Sequence, residues 1–149
     1  MKPVDTIESV LKLKGGQVLS VAPTATVYEA IQKMSDKGVG ALLVMSEGRL
    51  AGIISERDYA RKVILKDRSS KQTLVSEIMT SQVITVTPRD TVEECMRTVT
   101  ENRIRHLPVV DRDRVVGVIS IGDLVNWIIT AHEETIVHLQ SYIAGQYPG

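Results

Sequence analysis

A serine followed three positions later by an aspartate occurs behind an apolar run at two places in the chain. The pairs are Ser55 with Asp58 and Ser120 with Asp123. At a helix start, this spacing lets the serine cap exposed backbone N–H groups and places the aspartate near the positive end of the helix. The same junction offers backbone donors to a phosphate, and the aspartate can accept hydrogen bonds from a ribose diol. Each pair therefore has two interpretations, a structural helix cap and a contact for a phosphorylated sugar.

Basic residues accompany both pairs, but at different places. Arg57 and Arg61 follow the first serine on one helix face, whereas Arg105 and His106 precede the second apolar run. Basic side chains of this kind usually lie in solvent beside acidic neighbours. A phosphate clamp is the alternative, because the planar guanidinium matches phosphate oxygens. The sequence predicts that the first copy carries its positive charge on a helix and the second copy carries it on a strand.

An internal repeat contains both pairs. Residues 18–64 align with residues 83–129 at a constant offset of 65 without a gap, and 14 of 47 positions are identical. Each copy begins with a short strand that ends at a proline and continues with a helix opened by Thr-x-x-Glu, a capping box. Two β runs around a turn follow, and then a second helix starts at the serine. The predicted order of elements in each copy is β-α-β-β-α.

The predicted fold class is α/β, in its α+β form, with two repeats packed around a central cleft in pseudo-twofold symmetry. Packing is expected because one copy alone has too little apolar surface to be stable. Residues 1–66 would hold a lead-in helix and the first repeat, residues 67–130 a linker and the second repeat, and residues 131–149 a C-terminal extension. Each amphipathic lead-in piece, "ESVLKLKGG" or "VSEIMTSQ", is expected to dock onto the repeat that follows it.

The last helix is predicted to be long and to continue beyond the second repeat. Its apolar seam advances by alternating steps of four and three residues, as in a coiled coil. The seam consists of Val125, Ile129, His132, Ile136, Leu139 and Ile143. Because the seam outlasts the repeat by about two turns, the pattern favours a homodimer contact over packing on the same chain.

Composition excludes several classes of protein. The 149 residues are 43% hydrophobic and include neither a run of 18 apolar residues nor a signal peptide, so no membrane association is expected. The single cysteine, Cys95, predicts a reducing, cytoplasmic location, and its place on an apolar helix face predicts a core residue. Zero net charge, the absence of Phe and a single Trp argue against general nucleic-acid binding.

The sequence lacks the usual patterns of catalytic and metal-binding residues. Its three histidines show no ligand spacing with carboxylates or thiols, so no metal is predicted. There is no G-x-S-x-G, P-loop or G-x-G-x-x-G motif. These observations predict a protein that is not an enzyme and uses no catalytic cofactor.

The segment "IRHLPVVDRDRVVGVISIGD" resembles the core of a CBS (cystathionine beta-synthase) domain, and the duplication resembles a tandem CBS pair. The likeness covers roughly residues 5–130, and the "SERDYARKV" run is similar to small stand-alone bacterial CBS-pair proteins. The resemblance implies that the regulatory ligand is an adenine nucleotide, most often AMP, with ATP, NAD(H) or S-adenosylmethionine as alternatives. It also implies dimerisation into a flat, disc-shaped module. The output of such a module is expected to pass to a separate effector protein.

The resemblance also assigns roles to individual residues. It implies that Asp58 and Asp123 hold ribose hydroxyls and that Ser55 and Ser120 lie near the phosphate. The residues that it places around the adenine are Leu19, Ser20, Val21, Ala41, Leu42 and Leu43 in the first copy, and Ile84, Thr85, Val86, His106, Leu107 and Pro108 in the second. The basic residues that it places at phosphates are Arg105 and His106, and it favours the clamp interpretation of Arg57 and Arg61 over the solvated one.

The predicted function is a non-enzymatic sensor of adenine nucleotides, and three alternatives stay open. The first is a dimerisation or protein-interaction module with a vestigial cleft, in which the Ser-Asp pairs only cap helices. The second is a nucleotide hydrolase that uses the cleft. The third is RNA or DNA binding through Arg57, Arg61 and Arg105, which predicts a strongly salt-dependent affinity.

Overall fold

The computed structural model describes residues 5–131, and their elements follow the repeat. The first half contains α1 (Ile7–Lys14), β1 (Ser20–Val21), α2 (Val27–Lys37), β2 (Ala41–Ser46), β3 (Arg49–Ser55), α3 (Glu56–Lys62) and a 3-10 helix (Ile64–Lys66). The second half contains α4 (Val75–Ile78), α5 (Val92–Asn102), β4 (His106–Asp111) and β5 (Arg114–Ser120). The described residues 121–131 form a further helix, α6. The predicted mixed α/β fold with two repeats is confirmed.

Each repeat builds a small sheet on the same plan. In the first repeat, β1 pairs in parallel with β2, and β2 pairs antiparallel with β3. In the second repeat, β4 and β5 form the matching antiparallel pair. The strand predicted before them is reduced to a parallel bridge between Val86 and Val109, at the place where Val21 pairs with Val44 in the first repeat. The strands of the two repeats therefore pair in the same register.

Caps fix the ends of the long helices. The hydroxyl oxygens of Thr26 and Thr91 accept hydrogen bonds from backbone N–H groups three residues ahead, at 3.1 and 3.0 Å, as the repeated Thr-x-x-Glu predicts. α2 ends at Gly38, with φ of 67°, and α5 ends at Arg103, with φ of 53°. A left-handed backbone costs a residue with a side chain about 1–2 kcal/mol. The arginine therefore occupies a position that glycine would fill with less strain.

The lead-in helices are exchanged between the repeats. α1 precedes the first repeat, yet its buried Ile7 and Val10 belong to the core of the second repeat. α4 precedes the second repeat, yet its buried Val75 and Ile78 belong to the core of the first. The expectation that each lead-in piece docks onto the repeat that follows it is therefore wrong.

Backbone hydrogen bonds at the helix starts hold this exchange. Val92 N, at the start of α5, donates to Asp5 O at 2.8 Å, which ties α1 to the second repeat. Val27 N, at the start of α2, donates to Thr73 O at 2.8 Å, which ties α4 to the first repeat. The first helix of each repeat is thus anchored by the residues that lead into α1 or α4.

Two glycines shared by the repeats allow the lead-in helices to approach the sheets. A Cβ atom at Gly117 would lie 2.5 Å from Leu11 Cδ2, on α1. A Cβ atom at Gly52 would lie 2.7 Å from Thr80 O, just after α4. Since neither distance leaves room for a side chain, the identity of these two positions in the repeat follows from close packing.

The predicted C-terminal seam falls partly within the described residues. Val125 and Ile129 on α6 are exposed, by 40% and 58%. The other seam residues, His132, Ile136, Leu139 and Ile143, lie outside the described residues. Within residues 5–131, no helix has the length and apolar character that crossing a bilayer requires.

Candidate functional site

The two Ser-Asp pairs open onto two neighbouring clefts, whose linings share Gly40, Ile53 and His106. The first cleft contains Ser55 and Asp58, and the second cleft contains Ser120 and Asp123. Their volumes are about 450 and 360 Å³. Both volumes fall in the range of about 300–1,000 Å³ that is typical of small-molecule sites.

Each cleft is built from both repeats. In the first cleft, the Ser-Asp pair of the first repeat faces residues of the second repeat, namely Gln82, Val83, Ile84, Arg103, Ile104, Arg105 and His106. In the second cleft, the Ser-Asp pair of the second repeat faces residues of the first, namely Gln17, Leu19, Gly38, Val39, Gly40, Ala41, Leu42 and Leu43. Neither cleft would exist without both repeats.

Positive charge is concentrated in the first cleft. Arg57 on α3 lines it together with Arg103 and Arg105 from the second repeat. Arg57 Nη1 also donates a hydrogen bond to Arg103 O at 3.4 Å, which links the two repeats. The predicted division of charge between the two copies is therefore not a division between the two sites. The helix arginine and the strand arginine meet because each cleft combines a helix start from one repeat with strands from the other.

Several of the predicted contact residues line neither cleft. They are Ser20, Val21, Arg61, Thr85, Val86, Leu107 and Pro108. Val86 and Leu107 are buried in the core of the second repeat, and Arg61 is exposed.

The structure adds cleft residues that the sequence analysis missed. Gln17 and Gln82 occupy matching places in the two clefts. They are also identical at the offset of 65, one position before the aligned block, so a longer alignment would have indicated them. Lys14 lines the second cleft from the end of α1. No pattern in the sequence indicated Lys14, because its position follows from the exchange of the lead-in helices.

Asp58 is held by the start of its own helix. Its Oδ2 accepts hydrogen bonds from Ser55 N at 2.9 Å and from Ser55 Oγ at 3.1 Å. Asp58 N in turn donates to Ser55 Oγ at 3.2 Å, which completes a capping box. Lys62 Nζ lies 3.1 Å from the second carboxylate oxygen, Oδ1. The carboxylate is therefore fixed in place at the edge of the first cleft.

Asp123 has the same cap but a different cationic partner. Ser120 N donates to Asp123 Oδ2 at 2.8 Å, and Asp123 N donates to Ser120 Oγ at 3.1 Å. Lys14 Nζ donates to the same Oδ2 at 2.6 Å. Burial alone would raise the pKa of Asp123, but the hydrogen bonds from Lys14 and Ser120 and the charge of Lys14 lower this pKa below its usual value. Asp123 is therefore a carboxylate at neutral pH, with an ammonium already bound to it.

His106 lines both clefts. Burial, followed by the positive charges of Lys14 and Arg105, lowers the pKa of His106 against the opposing effect of two nearby carboxylates. The imidazole is therefore neutral at pH 7 and offers a hydrogen bond rather than a positive charge. The predicted cationic role falls to the arginines of the first cleft.

The remaining candidate groups do not form a site. Cys95 is fully buried on α5, and burial raises the pKa of its thiol to about 12, with smaller contributions from Asp90 and Glu94. It is a core residue, as the apolar face predicts. Within the described part of the chain, no three His, Cys, Asp or Glu residues lie close enough together to hold a metal ion.

Comparison with known proteins gives relatives for nearly the whole chain. The protein "CBS domain-containing protein CBSX3, mitochondrial" from Arabidopsis thaliana is 45% identical over 151 residues, which cover 95% of this chain and 73% of that protein. The structure of a proposed signal-transduction protein with CBS domains from Burkholderia ambifaria is 49% identical, with a TM-score of 0.82, and the match covers 84% of this chain and 94% of that one.

A third relative was solved with a bound molecule. The CBS domain protein PAE2072 from Pyrobaculum aerophilum, complexed with AMP, is 26% identical, with a TM-score of 0.71. The match covers 79% of this chain and 88% of that one. The family model described as CBS domain matches residues 15–65 and again residues 75–130. The chain therefore belongs to the CBS domain family, as a tandem CBS pair.

Proposed function

We propose that the chain is a non-enzymatic regulatory module that binds an adenine nucleotide and passes its ligand state to a separate effector protein. AMP is the foremost ligand, with ATP, NAD(H) and S-adenosylmethionine as alternatives. The proposal is carried by the first cleft, which is lined by the ordered carboxylate of Asp58 together with three arginines.

The arrangement suits the three parts of such a ligand. Asp58 Oδ1 and Oδ2 can accept hydrogen bonds from the ribose diol. Arg57, Arg103 and Arg105 offer planar donor forks that match phosphate oxygens. Ile84 and other apolar residues of the cleft provide a surface for the adenine ring. The AMP complex of the Pyrobaculum aerophilum relative supports this choice of ligand.

Thermal melting of the full chain with AMP, ATP, NADH and S-adenosylmethionine tests the proposal. A ligand that binds only the folded state, at about 100 times its Kd, should raise the melting midpoint of a chain of this size by about 5–10 °C. Arg57→Ala should diminish this rise because it removes a cation that lines the first cleft. Arg61→Ala, an exposed arginine on the same helix that lines neither cleft, is the matched control and should leave the rise unchanged.

The second candidate is a dimerisation or protein-interaction module with a vestigial cleft. It is favoured by the capping boxes, because Asp58 and Asp123 already have structural partners without any ligand. This candidate predicts no shift of the melting midpoint with any adenine nucleotide at millimolar concentration. Such a result would replace the first proposal with the second.

The resemblance also implies a homodimer, which stays part of the proposal together with the effector partner. The cytoplasmic location expected from the single cysteine likewise stays a prediction. It is not common to all relatives, since the Arabidopsis thaliana protein is named mitochondrial.

A further inference from the structure

We infer that the last turn of α1, residues 12–14, is a conformational switch. In the described state Lys14 holds this turn helical, and in the alternative state the turn unwinds and the chain after it pairs with β5. The switch goes beyond the proposed function, because it is a change of the free chain and needs no ligand. Three features around this turn differ from their counterparts in the first half of the chain.

The first feature is the turn itself, which is made of residues that the other lead-in helix lacks. The N-caps Thr6 and Leu74 are equivalent, since each bridges to the threonine that caps a long helix, α5 or α2. These N-caps are 68 positions apart, whereas the matching cleft residues Gln17 and Gln82 are only 65 apart. Three additional residues therefore lie between the start of α1 and the cleft. Leu13 on the additional turn is 69% exposed, so the turn adds little to the core.

The second feature is the outer edge of β5, which lacks the backbone pair that closes β3. In the first half, Ile53 N donates to Thr80 O at 3.0 Å and Thr80 N donates to Ile53 O at 2.9 Å. Val118 takes the place of Ile53, but its carbonyl oxygen accepts a hydrogen bond from Lys14 Nζ at 2.5 Å. Val118 lies opposite Pro108, whose carbonyl oxygen is bonded on the side away from β5. The Val118 N–H therefore points to the outer edge, where it finds no acceptor among residues 5–131.

The third feature is the indole of Trp127, whose donor is also without a partner. Trp127 lies on α6 at the place that Lys62 holds on α3, and Lys62 Nζ donates to Ile78 O, at the end of α4, at 2.8 Å. Trp127 packs against the core that contains Val10, the residue of α1 equivalent to Ile78. Its Nε1 is buried and has no hydrogen-bond partner within the described part of the chain. Because α1 continues, Val10 O is already paired with Lys14 N, four residues ahead.

Unwinding of the last turn supplies partners for both donors. With α1 ending at Val10, as α4 ends at Ile78, Val10 O is open to Trp127 Nε1. The released backbone at Gly15 and beyond can then pair with the edge of β5, and glycine gives it the freedom that this change requires. An unpaired buried donor is costly, whereas residues 12–14 are exposed, so their N–H groups can bond to water. The gain at the two donors therefore opposes the loss of one helical turn.

Lys14 holds the turn in its helical form. Its Nζ donates to Asp123 Oδ2 at 2.6 Å and to Val118 O, so the ammonium occupies the edge that the backbone would use. The lysine side chain is 35% exposed and the aspartate side chain 25% exposed. Because partly exposed ion pairs contribute little to stability, a small change at Asp123 is enough to release the turn. Lys14 and Gln17 line the second cleft, so release changes the wall of that cleft.

Nuclear magnetic resonance of the free protein tests the inference, because Trp127 is the single tryptophan of the chain. A variant that lacks residues 12–14 has no additional turn and serves as the reference for the unwound state. Its indole N–H signal should lie at lower field than that of the wild type, since the donor is then hydrogen-bonded. Its Val118 amide should exchange with solvent about as slowly as the Ile53 amide, which is bonded to Thr80 O in the first half.

Lys14→Met removes the ammonium that holds the turn and keeps the length of the stem. Loss of a hydrogen bond between charged groups should shift the equilibrium towards the unwound state by about tenfold. The indole signal should therefore move towards that of the shortened variant, and the Val118 amide should exchange more slowly than in the wild type. Lys12→Met is the matched control. It makes the same replacement on the same turn, removes only a 3.8 Å contact with Glu8, and should leave both signals unchanged.

The Ile53 amide is the internal standard, since its slow exchange in each variant shows that the first sheet stays folded. The inference is wrong if the shortened variant keeps the wild-type indole signal and the wild-type exchange of Val118. It is also wrong if Lys14→Met moves neither signal. Equal effects of Lys12→Met and Lys14→Met would overturn it as well, because Lys14 would then not be the residue that holds the turn.

Discussion

Arg103 combines backbone strain with a place in the first cleft. It ends α5 with φ of 53°, where the first repeat has Gly38 at φ of 67°. Left-handed arginine is less favourable than left-handed glycine by about 1–2 kcal/mol. Strain of this kind is frequently found at functional sites. A strained arginine that lines a cleft with Arg57 and Arg105 is consistent with a role in binding an anion.

Arg103→Gly should therefore have effects of opposite sign on stability and on binding. The free energy of unfolding of the ligand-free protein should rise by about 0.5–1 kcal/mol, because relief of strain exceeds the entropy that glycine adds to the unfolded chain. The affinity for AMP at the first cleft should fall, since one of three arginines is removed. Urea unfolding and calorimetric titration measure the two effects. A variant that is more stable and binds AMP as tightly as the wild type would show that Arg103 has no part in binding.

The sequence predicted the role of a residue when that role depends on residues close to it in the chain. The caps of Thr26, Thr91 and Ser55 depend on neighbours three positions away, so spacing predicted them. The charge of the first cleft depends on which repeat faces Arg57, and Lys14 depends on where α1 docks. Neither relation is contained in a local pattern, so neither could be predicted from the spacing of residues.

Among the elements, the lead-in helices lie against glycines, and the two contacts differ in kind. A Cβ atom at Gly52 would approach Thr80 O to 2.7 Å, and a backbone oxygen cannot move without breaking the bridge between Ile53 and Thr80. A Cβ atom at Gly117 would approach Leu11 Cδ2 to 2.5 Å, and the end of a leucine side chain can rotate away. Equivalent positions in the repeat should therefore respond differently to the same substitution.

Gly52→Ala should lower the free energy of unfolding by about 1–3 kcal/mol, the usual range for overpacking a closely packed site. Gly117→Ala should be the milder of the two, at the lower end of that range. Urea unfolding of both variants measures the difference. Equal losses, or a larger loss for Gly117→Ala, would show that α1 is held more rigidly against the sheet than α4.

The periodicity of α1 shows which of its faces is apolar but not which core covers that face. Ile7 and Val10 would fit either repeat by that criterion. The choice is made by backbone pairing between Asp5 and the start of α5, a contact between residues far apart in the chain. Repeats, element order and sheet register were therefore predictable, whereas the exchange of helices was not.

At the scale of the whole molecule, the homodimer contact on α6 stays a prediction from the spacing of its apolar seam. Val125 and Ile129 begin the predicted seam and are 40% and 58% exposed in the single chain. The full chain should sediment at about twice its mass of 16.4 kDa. Ile129→Glu should shift the protein towards the monomer, because it places a charge in the seam. Leu65→Glu is the matched control, since Leu65 is 75% exposed but lies outside the seam. A wild-type monomer at micromolar concentration would contradict the predicted homodimer.

The docking of α1 onto the second repeat also has a consequence for the order in which the chain folds during synthesis. α1 is the first of the described elements to be translated, but the core that receives Ile7 and Val10 includes Ile119 and Leu124, which belong to β5 and α6, the last two described elements. The first repeat can recruit α4 soon after that segment emerges, whereas α1 must wait until almost the whole described chain has been translated. Because closing such a long loop slows folding, the newly made α1 remains an exposed apolar segment that chaperones can bind until β5 and α6 have been translated.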